Sequence, residues 1–207
     1  MPSRREWLIG TAALLFIRNA LSQERLAKGV YRLSGDVRIN GEPARPGATV
    51  RAGDTLKTGA DGEVVFVIGR DAMLVRRESS ASLLKDGLRI VTGAVLSVFS
   101  PGERKRIQTG TAVIGIRGTA VYVEAERGRT YVCTCYGEAV LEPRDDPKTR
   151  ETVRTTHHEQ PRYIMAKGAP QMMMRAPVVN HTDTELEMLE SLVGREPPFM
   201  GKGYKPY

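Results

Sequence analysis

The chain has 207 residues, which is enough for one domain with appendages and for an apolar core that needs no disulfide staples. Its 21 Gly and 12 Pro favour many short strands over long helices. The formal net charge of +7 suits an anionic partner, but the basic residues are spread along the chain. Their densest cluster, a predicted loop at residues 104–106, has no aromatic stacking platform beside it, so we expect no nucleic-acid partner.

Residues 1–22 are typical of an export signal. Arg4 and Arg5 precede a short apolar run over residues 7–17, which is too short to span a membrane comfortably. The order Ser-Arg-Arg-x-aromatic-Leu over residues 3–8 resembles a twin-arginine signal, whose route carries proteins that are already folded, often around a cofactor. A clean Ala-x-Ala cleavage site is missing. Two outcomes therefore stay open: a periplasmic protein, or one that the uncleaved segment anchors in the membrane facing the periplasm.

Residues 31–165 are predicted to form an all-β domain. Short apolar or alternating segments of about 5 to 7 residues are separated by Gly-rich turns. Asn40-Gly41 predicts a tight hairpin, and further breaks between strands are expected at Gly93, Gly118 and Gly137. Turn-and-strand units at irregular spacing indicate either an antiparallel β-sandwich or a short β-solenoid.

Residues 166–207 are predicted to form an extended segment, a short helix and a tail. Thr182 and Glu185 have the spacing of a capping box, in which each residue satisfies a backbone N–H of the other. Apolar residues at helical spacing follow, which predicts a helix over 183–193 that docks on the β-core. The tail over 195–207 is expected to be disordered or draped over the surface.

Several glycine-containing segments between residues 35 and 142 share a pattern with one known family. They are Ala52-Gly53-Asp54-Thr55-Leu56, Thr58-Gly59, Gly62, Gly93-Ala94-Val95, Ile116-Arg117-Gly118-Thr119-Ala120-Val121 and Gly137-Glu138-Ala139-Val140. Together they resemble a FecR (ferric-citrate regulator) domain. The resemblance implies an all-β, non-enzymatic envelope protein that relays a signal from an outer-membrane receptor to a cytoplasmic sigma factor. Few residues precede the apolar run, so we expect no sigma-binding segment here.

The two cysteines and the adjacent histidines are the candidates for chemistry. Cys133 and Cys135 share one face of a strand, where a disulfide between them is strained because their Cα atoms lie about 7 Å apart. A hairpin return brings His157 and His158 close, and two thiolates with imidazole suit Zn²⁺ or copper. Adjacent residues of a strand point to opposite sides, so only one histidine of this pair is expected to bind.

Other assignments of these residues stay open. His181 and the Met172–Met174 run are further candidate ligands, although methionines are more often core fillers. The cysteines are alternatively buried core thiols or a redox pair. The sequence contains no Ser nucleophile elbow, no phosphate loop and no recognisable pair of carboxylates, so we expect no enzymatic activity.

Two functions follow from these observations. The first is an exported binding, sensing or scaffold module whose partner is an envelope protein or a wall polymer, with membrane contact only through an uncleaved N-terminal signal. The second is a periplasmic metal-binding or redox protein that uses the β-domain as its scaffold.

Replacing both Arg4 and Arg5 by Lys is expected to abolish export. The double variant keeps the positive charge of the N-terminus, so general secretion is little affected, but lysine cannot reproduce the planar guanidinium contacts that the twin-arginine route reads. Fractionation of cells that express the variant measures the outcome, and folded protein retained inside is the expected result. Undiminished periplasmic protein would contradict the twin-arginine interpretation.

Overall fold

A computed structural model describes residues 28–207, without the side chain of Thr119. The export signal expected over residues 1–22 lies outside the described residues. The described chain is all-β with one α-helix near its C-terminus, which confirms the predicted fold class. No helix in this part of the chain is long and apolar enough to cross a membrane.

The described residues form fourteen strands, named here in chain order. They are β1 (Gly29–Ser34), β2 (Val37–Ile39), β3 (Glu42–Pro43), β4 (Thr55–Thr58), β5 (Glu63–Ile68), β6 (Asp71–Val75), β7 (Ser80–Leu84), β8 (Gly87–Val98), β9 (Arg104–Gln108), β10 (Ala112–Glu126), β11 (Arg129–Pro143), β12 (Glu151–Thr155), β13 (Arg162–Met165) and β14 (Met173–Arg175). A short 3-10 helix (Pro147–Thr149) precedes β12, and helix α1 spans Asp183–Leu192.

The strands form one sheet that folds into two packed layers. The helix-covered layer has the order β1-β5-β6-β8-β10-β11-β13-β14. The open layer has the order β3-β2-β4-β7-β8-β9-β10-β11-β12. The described pairings are antiparallel except for the parallel pair β8–β9. This barrel-like, two-layer arrangement agrees with the sandwich alternative and not with the solenoid.

The long strands β8, β10 and β11 each contribute to both layers, and each contains a glycine with positive φ: 85° at Gly93, 56° at Gly118 and 89° at Gly137. Predicting separate strands on either side of these glycines was wrong, because each strand continues through its glycine. β8, for example, pairs with β7 up to Thr92 and with β10 from Gly93 onward. A residue without Cβ adopts this backbone conformation readily, so a strand changes direction without ending.

The helix-covered layer is buried on both faces, which explains its nearly continuous apolar segments. In β5, Val64 and Phe66 point into the inner core between the layers. Val65 and Val67 point the other way, into an outer core that α1 covers. Strands of the open layer instead alternate, and β4 buries Leu56 and Thr58 while Lys57 is exposed.

The helix start and the helix bounds near the C-terminus agree closely with the prediction. The Thr182 side chain accepts from the Glu185 backbone, and the Glu185 side chain accepts from the Thr182 backbone, which confirms the capping box. Helix α1 ends at Leu192, one residue before the predicted end, because Val193 is its C-cap. The tail is draped over the protein, and Phe199 is buried in the outer core.

Two predicted irregular segments are strands instead. Residues 104–106 belong to β9, where Lys105 and Arg106 pair with Asp71 and Asp86. A half-exposed strand accepts such charged side chains, so their density misled the loop prediction. Within the segment expected to be extended coil, β14 pairs with β13 at the edge of the helix-covered layer.

Replacing Gly93 by Ala is expected to destabilise the protein more than replacing Gly69 by Ala. Both glycines have positive φ, so either substitution carries a backbone cost of about 1–2 kcal/mol. At Gly93 the added Cβ would also lie 2.5 Å from the Ser79 Cα, whereas at Gly69 it meets nothing within 4 Å. Urea unfolding of both variants measures the difference, and equal losses would contradict the proposed role of Gly93.

Candidate metal centre

Four buried side chains converge beneath α1. Cys133 and Cys135 of β11, His158 of the β12–β13 loop and His181 just before α1 each place one donor atom within 4.8 Å of the others. The Cys133 Sγ lies 3.5 Å from the His158 Nδ1, which lies 3.0 Å from the His181 Nε2. Tetrahedral zinc bonds of about 2.0–2.3 Å place ligand atoms roughly 3.3–3.8 Å apart. The set therefore has the size of a mononuclear, four-coordinate site.

The cysteine side of this site follows from strand geometry. Cys133 and Cys135 are two residues apart on β11, so both side chains lie on the outer-core face of the helix-covered layer. Both are free thiols, in agreement with the strain expected of a disulfide between them. A single strand thus supplies two sulfur donors to one point.

His158 joins the four-donor set and His157 does not, although both also form a second group of candidate donors with Asp183. The reason differs from the sequence argument, because the two residues lie in a bend and His158 has a left-handed φ of 62°. Both rings turn toward Asp183. The His157 Nε2 lies 3.0 Å from each carboxylate oxygen, and the His158 Nε2 lies 3.0 Å from the Oδ1.

Hydrogen-bond acceptors behind two of the rings determine which nitrogens carry hydrogen. The Asp183 carboxylate faces the His158 Nε2 at 3.0 Å, and the Val179 carbonyl faces the His181 Nδ1 at 2.7 Å. Because both groups only accept, each ring nitrogen facing them donates its hydrogen. In the neutral rings, the His158 Nδ1 and the His181 Nε2 then present lone pairs to the centre. Histidine ligands of metal ions have this outer support.

The contacts in the centre favour the thiolate form of Cys133 beside the charged form of His158. Burial alone disfavours the Cys133 thiolate, but contacts with Cys135, His158 and His181 outweigh it and hold the pKa of Cys133 well below its usual range. Burial and the neighbouring Cys133 raise the pKa of Cys135. Burial also opposes charge on His158, but Cys133 and Asp183 outweigh it and raise the pKa of His158.

The four donors are closed off from solvent. Relative exposure is 0% for both cysteines, 1% for His158 and 4% for His181. The His181 ring stacks on Tyr122 at a centroid distance of 4.6 Å. Such a centre has no coordination position open to a substrate, unlike catalytic zinc sites, which keep one for water or substrate.

The remaining candidates have other contacts. The His157 ring packs between the tail and Asp183, stacking on Tyr204 at 4.6 Å. Met173 packs against the inner core, on the other side of the layer from the thiols, and Met174 is exposed. Sequence reasoning missed Asp183, although its position beside the His181-Thr182 pair at the helix start was a usable signal.

No protein-family model matches the chain, and no curated protein does. Part of the fold is similar to two crystal structures of a candidate anti-sigma factor from Parabacteroides distasonis ATCC 8503. For each, the TM-score is 0.49, the identity is 8%, and the similarity covers 59% of this chain and 58% of that one. The chain therefore spans less than two thirds of that protein. Similarity at this level assigns no family, and the FecR resemblance stays an interpretation of the sequence.

We expect no thiol of the native protein to react with a thiol reagent, and two thiols per chain to react in the unfolded protein. Cys133 and Cys135 are both free and fully buried, so a reagent such as Ellman's reaches them only after unfolding. Absorbance titration with and without denaturant, in the absence of reductant, gives both numbers. Fewer than two reactive thiols in the unfolded chain would indicate a disulfide and contradict the assignment of Cys133 and Cys135 as free thiols.

Proposed function

We propose that the protein binds one transition-metal ion per chain through Cys133, Cys135, His158 and His181. One observation carries the proposal: the His158 Nδ1 and the His181 Nε2 lie 3.0 Å apart, with a thiol sulfur beside them. In the neutral rings, the acceptors behind them leave two lone pairs facing each other, and either a shared proton or a metal ion between them stabilises this arrangement. A metal ion satisfies all four donors at once, whereas a proton joins only two.

Zn²⁺ suits this donor set best. Two thiolates and two neutral imidazoles around a divalent ion sum to zero charge, which a fully buried site tolerates. Cu⁺ also binds thiolates, but it would leave one uncompensated negative charge in the same apolar surroundings. The closed coordination sphere supports a structural or sensing role for the ion, and with it the expectation that the protein is not an enzyme.

The metal reading is favoured over a dithiol redox pair. Cys133 and Cys135 alternate along one strand, and closing a disulfide there requires backbone movement, since their Cα atoms are about 7 Å apart in extended chain. Both sulfurs are also inaccessible to a partner thiol. Exchange needs an attacking thiolate to reach the sulfur, so a buried pair on an intact strand is poorly placed for it.

We further propose that this module acts in the cell envelope as a binding, sensing or scaffold protein, with an envelope protein or a wall polymer as its partner. The export motif of residues 1–22 supports the location. The site also fits a route that carries folded proteins. Its donors come from residues 133, 135, 158 and 181, which meet only in the folded chain. Loading the ion before export would therefore require folding before export.

Elemental analysis of the purified protein and three histidine variants tests the metal site. Wild type is expected to contain about one zinc per chain, because four donors enclose a single centre. His158→Gln and His181→Gln are expected to lose most of it, since each removes one ligand from the centre. His157→Gln is the matched control and is expected to keep the metal, because His157 is buried beside the same Asp183 carboxylate but is not one of the four donors.

The outcomes separate the possible errors. Metal loss in His157→Gln with retention in His181→Gln would overturn the assignment of the ligands. A wild-type protein that neither contains nor takes up zinc or copper would overturn metal binding itself. Circular dichroism of each variant establishes that the β-fold is intact.

A further inference from the structure

The outer face of the helix-covered layer is a large apolar surface. Residues 181–199, called here the C-terminal segment, cover it. The residues of this face are buried outward-facing side chains: Val65, Val67, Leu74, Leu96, Val98 and Tyr122. The cover consists of apolar side chains of α1 and of the chain just after it: Leu186, Leu189, Val193 and Phe199. Uncovering a contiguous apolar patch of this kind is costly in water, so docking of this segment hides a surface that would otherwise bind other apolar groups.

Polar contacts also hold this segment in place. Arg76 pairs with Glu185 of α1 at 2.7 Å. Glu190, which is 4% exposed, accepts from the Tyr136 hydroxyl and lies 2.5 Å from the Arg195 Nε. These contacts stabilise docking independently of any metal ion.

The four donors are divided unevenly between the β-domain and this segment. Cys133, Cys135 and His158 belong to the β-domain, whereas His181 lies immediately before α1. Asp183, the first residue of α1, accepts from the ring of His158 at 3.0 Å. When the segment is docked, the ion has four ligands and a supported histidine. When it is undocked, the β-domain offers three ligands, and His158 loses its acceptor.

We propose that metal binding and docking of residues 181–199 are coupled, so that the ion acts as a latch that keeps the apolar face covered by the chain's own C-terminal segment. This inference rests on the proposed metal site. A ligand shifts an equilibrium only through its different affinity for the two states, and His181 with Asp183 provides that difference. Coupling is reciprocal: the ion strengthens docking, and docking strengthens binding of the ion by the same factor.

Reciprocity gives a test that touches no ligand. Leu189 is 0% exposed in the interface between α1 and the outer face, and Leu83 is 1% exposed in the inner core on β7. Leu189→Ala is expected to lower zinc affinity at least about tenfold, because it weakens docking. Leu83→Ala is the matched control: it removes an equally buried leucine away from the segment and leaves the affinity within about twofold. Competition with a chromophoric zinc chelator measures both affinities.

Hydrogen exchange on the unmodified protein provides a second readout that does not depend on how the variants fold. Zinc removal by a chelator is expected to increase exchange over 183–199 and to leave β5 and β6 protected. Unchanged exchange of α1 together with unchanged affinity of Leu189→Ala would overturn the latch while the metal site stands. A wild-type protein that binds no zinc would overturn the proposed function, and the latch with it.

Discussion

A sheet layer that is apolar on both faces has to be covered on both sides, and this constraint organises the molecule. One side of the helix-covered layer is closed by the open layer, which a meandering sheet supplies by folding over. The other side is closed by α1 and the chain just after it, which follow β14. The C-terminal segment is thus required by the core and is more than an appendage to it.

That second interface contains a cluster of buried polar groups. Two thiols and two imidazoles lie between the outer face of β11 and the segment that covers it. Buried polar groups need partners, and here the Cys133 thiol contacts His158, the His158 ring contacts His181, and the Cys135 thiol contacts the Cys133 carbonyl. The divalent ion proposed for this centre would cross-link β11, the β12–β13 loop and the start of α1. The site lies at this interface because β11, the β12–β13 loop and the start of α1 meet there.

Local geometry made part of the site predictable. The alternation of a strand placed Cys133 and Cys135 on one face, and the capping box fixed the start of α1 next to His181. The choice between His157 and His158 was beyond sequence reasoning, because it depends on a left-handed backbone at His158, a conformation uncommon for residues other than glycine. The role of Asp183 depends on the start of α1 packing next to the β12–β13 loop. That contact belongs to the tertiary structure and is not visible in the local sequence.

The fold shows the same division between local and long-range information. The Asn40-Gly41 hairpin was predictable, since both residues have the positive φ that this turn demands. Gly93 has the same local signal, yet it bends a strand instead of ending one. Only the change of pairing partner along β8 distinguishes the two cases, and partners are not encoded in the local pattern.

The shared strands have a further consequence for how the domain comes apart. Because β8, β10 and β11 run through both layers, neither layer can peel away without breaking the ladder of the other. Two sheets joined only by loops can separate, but these two layers share three continuous strands. We therefore expect the β-domain to unfold in one cooperative step, with partial opening confined to the edge strands and the C-terminal segment.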